Sequence, residues 1–205
     1  MTTLLWTSDS PFCRIALWSM ALLGRDTEFE LQHLTWDELR KISAGEKLGT
    51  AATVPCLSLS SGECLSDSLR ILAYLLRTDF FSWFLSSEGE LYRIVEGQFA
   101  RVMYALYDGA QGKSLEKVHG QWRRALHAAE LGLVGKGSQN SLPGAALHVF
   151  VCFCLKLQPE WRNDISEPLA SLLSQQENTA AFAKLKSWVA ATDYRVPCYW
   201  AGPER

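Results

Sequence analysis

Strand signals in this chain are confined to its first 77 residues, and every periodic stretch after them is helical. Residues 3–7 (TLLWT) are apolar and rich in β-formers, which predicts a buried strand. Ser10 and Pro11 supply an N-cap and a first helical residue for a helix over 11–23. Ile15, Trp18, Ser19 and Leu22 recur along it at helical spacing, and Gly24 is its stop. Residues 29–34 alternate strictly and predict a second strand. A short helix follows over 36–42, then a loop over 43–52. Strands over 56–60 and 63–65 flank a Ser61-Gly62 turn. Ser66 can cap a helix over 67–77, with Asp67 complementing the dipole in its first turn. The order is β-α-β-α-β-β-α. Past Thr78-Asp79, read as a linker, helical patterns cover 88–108, 114–134, 142–157, 165–176 and 178–192. An α/β segment ahead of a purely helical one predicts two domains, an α/β domain over 1–77 and an all-α bundle over 85–205.

Composition narrows the function classes. The 205 residues are 48% hydrophobic and 20% charged, which suits a globular chain and not a disordered one. A net charge of -2 gives no electrostatic footprint for nucleic acid or an anionic membrane. The first residues lack the positive region and apolar run of a secretory signal. The most apolar stretch, 145–157, is too short to span a bilayer and carries His148 and Lys156. A cytoplasmic protein with no membrane or nucleic-acid partner is the expectation. The six cysteines (Cys13, Cys56, Cys64, Cys152, Cys154 and Cys198) include no CxxC pair, and no Cys/His set has zinc spacing. Most read as small core residues, and no metal is expected.

Three local features bear chemistry. Ser10-Pro11-Phe12-Cys13 opens the first helix, where unpaired N–H groups and the positive dipole end stabilise an anion such as a thiolate. A serine hydroxyl there can donate to the thiolate, and a plain N-cap explains the same residue. Val54-Pro55 stands at the start of a strand, where a proline without an N–H is tolerated. A trans bond is the ordinary reading, since cis accounts for about 5–6% of X–Pro bonds. Asp67 and Ser68 open the third helix, where they serve equally as a cap or as a site for an amino and a carboxylate group.

Taken in order, these residues resemble the glutathione transferases. Ser10-Pro11-Phe12 is similar to the S-P-F signature of the serine-type members, Val54-Pro55-Cys56-Leu57 to V-P-x-L, and Asp67-Ser68-Leu69-Arg70-Ile71 to E/D-S-x-x-I. The resemblance implies a thioredoxin-like N-terminal domain, an all-helical second domain and glutathione as co-substrate. It implies a cis Val54-Pro55 bond and a transferase, acting in detoxification, that activates the glutathione thiol against a small hydrophobic electrophile. Carried to this chain, Ser10 would hold the sulfur and Phe12 would be among the residues that bind glutathione. The Val54 main chain, shaped by Pro55, would pair with the cysteinyl part, and Asp67 and Ser68 would take the γ-glutamyl end. Lys47 is the candidate for the glycine carboxylate. Arg101, Tyr104 and Tyr107 would line the apolar second-substrate site, expected between the two domains. A homodimer follows from the same resemblance.

The chain departs from the family in places. The usual Asn-Pro-x-Gly-Lys run before Val-Pro is absent, and the loop there is longer. Ser141-Leu-Pro-Gly144 lacks the acid of the family's capping box. No tyrosine precedes Tyr74, which excludes a tyrosine-type arrangement, and Trp6 near that place reads as core. Ser8 is a second hydroxyl, but only Ser10 directly precedes Pro11. Cys13 admits another chemistry. A thiol acidified by the first turn of the helix would make the chain a glutathione-dependent disulfide reductase, while a buried Cys13 facing the sheet would not. A non-catalytic interaction module with the same fold is the remaining rival.

Overall fold

The computed structural model describes residues 2–44, 53–77, 80–107, 114–134 and 141–192, without the side chains of 40, 42–44 and 80. The chain opens with β1 (Thr2–Trp6), α1 (Pro11–Leu22), a 3₁₀ turn at Asp26–Glu28 and β2 (Phe29–His33). Next come α2 (Trp36–Ala44), β3 (Cys56–Ser58), β4 (Cys64–Leu65) and α3 (Ser68–Leu76). Beyond these are α4 (Phe80–Phe84), α5 (Ser87–Tyr107), α6 (Leu115–Leu133) and α7 (Leu142–Leu157). A second 3₁₀ turn at Pro159–Asp164, α8 (Glu167–Glu177) and α9 (Ala180–Ala190) complete the described elements. The α/β order predicted for the first 77 residues and the helices after them are therefore present. The elements the sequence does not signal are α4 and the two 3₁₀ turns.

The sheet is four-stranded, in the order β2-β1-β3-β4. β1 runs parallel to β2, with Thr2 opposite Phe29 and Trp6 opposite His33. It runs antiparallel to β3, with Leu5 opposite Cys56. β3 and β4 form an antiparallel hairpin turned at Gly62, whose φ of 89° suits a residue without a Cβ. As an inner strand, β1 buries Leu4, Leu5 and Trp6 in succession. The parallel β1/β2 pair requires a crossover, and α1 supplies it.

α1 starts because Ser10 caps it and Pro11 occupies its first turn, and it stops at Gly24 (φ 64°). Pro11, Cys13 and every residue from Ile15 to Met20 are buried, more than one amphipathic stripe demands. The reason is that α1 packs against both α3 and α9. Trp18 meets Phe182 of α9 at 4.9 Å between ring centroids. Lys184 of α9 pairs with Asp26 at 2.6 Å. α9 therefore belongs with the sheet and first three helices in one compact unit, and a second unit runs from Phe84 to Thr179.

In the second unit α5 packs on α6 and α7, and α7 on α8. α7 is buried at thirteen of its sixteen positions, as a centrally placed helix must be. Its Ser141 cap accepts from Gly144 N–H at 3.1 Å, so the helix starts without the family's acid. Phe99 meets Trp122 edge to face, and Trp122 meets Trp161 at a tilt, each pair with centroids 5.7 Å apart. No described helix is long and apolar enough to cross a membrane.

Candidate functional site

Strand direction gathers the predicted residues at one end of the sheet. β1 ends at Trp6 and leads into the turn before α1. The antiparallel register that sets Leu5 against Cys56 puts Val54-Pro55 beside that turn. β4 runs antiparallel to β3, so its exit toward Asp67 and Ser68 lies at the same end. The starts of α1 and α3 and the entrance to β3 thus share one edge of a single unit.

The turn before α1 is held from several sides. Leu34 N–H donates to the Trp6 carbonyl at 2.8 Å, and Thr7 N–H to Cys13 Sγ at 3.4 Å. Arg14 Nε donates to the Ser8 carbonyl at 2.8 Å. Trp36 Nε1, at the start of α2, donates to Asp9 Oδ2 at 2.5 Å. Arg14, Asp9 and Trp36 are positioning residues that no local sequence signal marks, because their partners are set by chain reversal.

Ser10 is buried and extended (φ -81°, ψ 120°). Its Oγ accepts from Cys13 N–H at 3.3 Å. The oxygen accepts there, while the hydroxyl also faces the Cys13 thiol, so a capping serine at this place donates toward a sulfur. Ser8 is also buried, at 2% exposure, and sits before the cap instead of on it.

Cys13 is fully enclosed, and burial pushes its thiol up to about 11, against the lowering effect of the Ser10 and Thr7 contacts. Of the two readings the sequence leaves open for Cys13, the structure has the buried one. The helix end that would stabilise a thiolate is outweighed by loss of water around this sulfur. Brief alkylation with iodoacetamide, followed by peptide mapping, is expected to leave Cys13 unmodified in the native chain and modified in urea. Equal labelling in the two states would contradict the burial.

The Val54-Pro55 bond is cis. Pro55 is buried, and Val54 packs with Cys64 against a cluster of Leu5, Leu34, Leu39 and Cys56. At α3 the sequence expectation shifts by one residue. Asp67, not Ser66, is the N-cap, and its Oδ1 accepts from Leu69 N–H at 2.8 Å and Arg70 N–H at 3.2 Å. Asp67 thereby takes up two open N–H groups of the first turn, and the helix begins at Ser68. Phe12 and Ser68 are both half-buried at these helix starts.

Lys47 lies outside the described residues. Arg101, Tyr104 and Tyr107 stand on α5 in the other unit, and all three are exposed. The Tyr104 phenol is held above its usual range by partial burial and then by Glu96.

No protein-family model matches the chain, and no curated protein does. Solved structures do. The chain is similar to a glutathione S-transferase from Methylobacillus flagellatus with glutathione bound, at 18% identity and a TM-score of 0.70, over 90% of this chain and 98% of that one. A glutathione transferase family member from Pseudomonas fluorescens with bound glutathione matches at 22% identity and a TM-score of 0.64, over 89% and 97%. Glutathione transferase Omega 2S from Trametes versicolor matches at 17% identity and 0.66, over 93% and 94%. With TM-scores of 0.64 to 0.70 over nearly the whole of both partners, the chain has the thioredoxin-like plus all-helical fold of the glutathione transferases.

Proposed function

We propose that this protein is a glutathione transferase that binds glutathione at the sheet end described above and activates its thiol through Ser10. The observation that carries the proposal is the Ser10 hydroxyl, fixed as the cap of α1 directly before Pro11. Bound glutathione in two of the similar structures supports the choice of ligand. The Val54 main chain would pair with the cysteinyl part of the tripeptide. The second oxygen of Asp67 would meet the γ-glutamyl amino group, and the first turn of α3 its carboxylate.

The reaction follows from the charge. Hydrogen bonding from Ser10 and the positive end of α1 favour the thiolate, which raises its fraction at neutral pH. The thiol proton passes to water. The sulfur then attacks an electrophilic carbon, the S–C bond forms, and the leaving group departs with its electron pair. Tyr104 and Tyr107 are proposed to meet the apolar part of the electrophile, with Arg101 beside them. Pairing of two chains about a two-fold axis is proposed as well. A Cys13-centred reductase is disfavoured by the raised thiol.

Titration calorimetry with glutathione, together with the thiolate ultraviolet band of the complex followed against pH, tests the reading. Binding is expected, with a thiolate that persists well below the pKa of about 8.5 of a free thiol. A chain that binds no glutathione, or binds it with an ordinary thiol pKa, would remove the proposal.

A further inference from the structure

The second unit holds a cluster of ligand-type side chains that this reaction does not use. His148 and Cys152 stand one turn apart on α7 and so share a face. Glu177, at the end of α8, meets them from the neighbouring helix, with Oε1 2.7 Å from His148 Nε2. Cys152 Sγ lies 3.7 Å from Nδ1 and 3.8 Å from Nε2 of the same ring. The three ligand atoms all fall within 4.8 Å of one another. His148 and Cys152 are 4% and 5% exposed. The Glu177 side chain keeps 20% exposure, so the cluster is enclosed by the helices and open at one edge.

We infer that His148, Cys152 and Glu177 form a zinc site, with water as the fourth ligand. An imidazole, a thiolate and a carboxylate together suit a borderline-soft divalent ion, whereas magnesium and calcium call for oxygen alone. Bond lengths of about 2.3 Å to sulfur and 2.1 Å to nitrogen put those two atoms about 3.5 Å apart around a tetrahedral zinc. Sγ lies 3.8 Å from Nε2 but as near to Nδ1, so the thiol sits beside the ring, and rotation about the Cys152 Cα–Cβ bond is needed to carry it to the lone-pair side of Nε2 at that spacing. The nitrogen and carboxylate oxygen, now hydrogen-bonded, need to open to about 3.4 Å, a change that side-chain rotation of partly exposed Glu177 accommodates. On binding, the Cys152 thiol proton passes to water as the Zn–S bond forms. The ring keeps its proton on Nδ1 while Nε2 takes the metal, and Glu177 exchanges a hydrogen bond for a Zn–O bond. No group changes oxidation state. Cys154, two residues on, sits about 200° around the helix and contributes nothing to this face.

The test uses the 205-residue chain, loaded with excess zinc or cobalt(II) and then freed of unbound metal. One zinc per chain is expected by mass spectrometry. The cobalt form is expected to show tetrahedral visible bands and a thiolate-to-cobalt charge-transfer band. Cys152→Ala should remove that band and weaken zinc binding by at least about 10-fold. Glu177→Gln, at a partly exposed position, should weaken binding with the circular dichroism unchanged, and it carries the test if Cys152→Ala does not fold. A wild-type chain that retains no zinc overturns the inference. So does a cobalt complex without the thiolate band, or equal zinc retention in wild type and the variants. Metal content and spectrum are read directly, so the outcome is independent of glutathione chemistry.

Discussion

Replacing Ser10 by Gly is expected to lower the rate of glutathione conjugation, measured with an activated aryl halide, by about 10²–10³-fold in kcat/KM. The loss arises because the hydroxyl held at the start of α1 directly before Pro11 is the proposed donor to the sulfur. Without it the helix dipole alone favours the thiolate, and the pH–rate profile should move toward the alkaline limb of a free thiol. Gly is the informative substitution because it costs only a few tenths of a kcal/mol as an N-cap, whereas Ala costs about 1 kcal/mol and would mix folding with chemistry. Glutathione affinity should change little, since Val54 and the start of α3 hold the rest of the tripeptide in the proposed mode. Ser10→Thr keeps both hydroxyl and cap and should restore much of the rate. Ser8→Ala should leave the pH profile where it is. A Ser10→Gly chain with an unshifted profile and undiminished rate would end the assignment of this hydroxyl.

Much of the site's placement was legible because its residues are also structural punctuation. Ser10-Pro11 marks a helix start by cap and ring chemistry alone, and the helix starts there. The choice between Ser66 and Asp67 was not legible, since either can cap and a shift of one residue leaves the apolar spacing of α3 intact. Cys13 illustrates the same limit at higher stakes. Its position in the first turn argues for a lowered thiol pKa, and its burial, set by how α1 packs, argues for the opposite and wins. α4 escaped because Phe80-Phe-Ser-Trp-Phe84 is apolar at four of five positions and offers no 3.6-residue contrast. His148 and Cys152 have helical spacing, but the residue that completes their cluster lies 29 positions beyond His148 on another helix. Chain-local patterns place caps, turns and faces, whereas tertiary packing decides which faces meet.

The largest expected loss of stability follows from Arg25, which joins two segments of the first unit. Its Nη1 donates to the Tyr74 carbonyl at 2.9 Å and also to that of Leu75, the last carbonyls of α3. Nε and Nη2 grip the Glu28 carboxylate at 3.1 Å and 2.7 Å. The guanidinium lies 5.4 Å from the Phe29 ring centroid and 5.7 Å from that of Tyr74. α3 ends with Arg77 in the left-handed region (φ 54°), its N–H bonded back to the Tyr74 carbonyl, so Arg25 meets the carbonyls of a closing helix turn. Arg25→Ala removes charge-assisted bonds from a side chain with 11% exposure, and a cost of about 3 kcal/mol is expected. For a chain of this size that is a Tm lower by about 6–12 °C, read by calorimetry. Lysine at this position offers a point charge in place of a planar fork and should recover only part of the loss. Acid supplies a second reading. Hydrogen bonds from Arg25 and then Arg77 hold the Glu28 carboxyl at about 2, below its ordinary 4.5. A depressed carboxyl contributes stability above pH 4.5 that is lost as pH falls toward 2. Arg25→Ala leaves Glu28 with Arg77 alone, 67% exposed, so the variant has less to lose. The gap between wild-type and variant Tm should therefore narrow between pH 4.5 and pH 2. A gap that stays constant across that range would mean that Glu28 draws its low pKa from elsewhere, and an unchanged Tm at neutral pH would mean that water replaces the guanidinium at the end of α3 without cost.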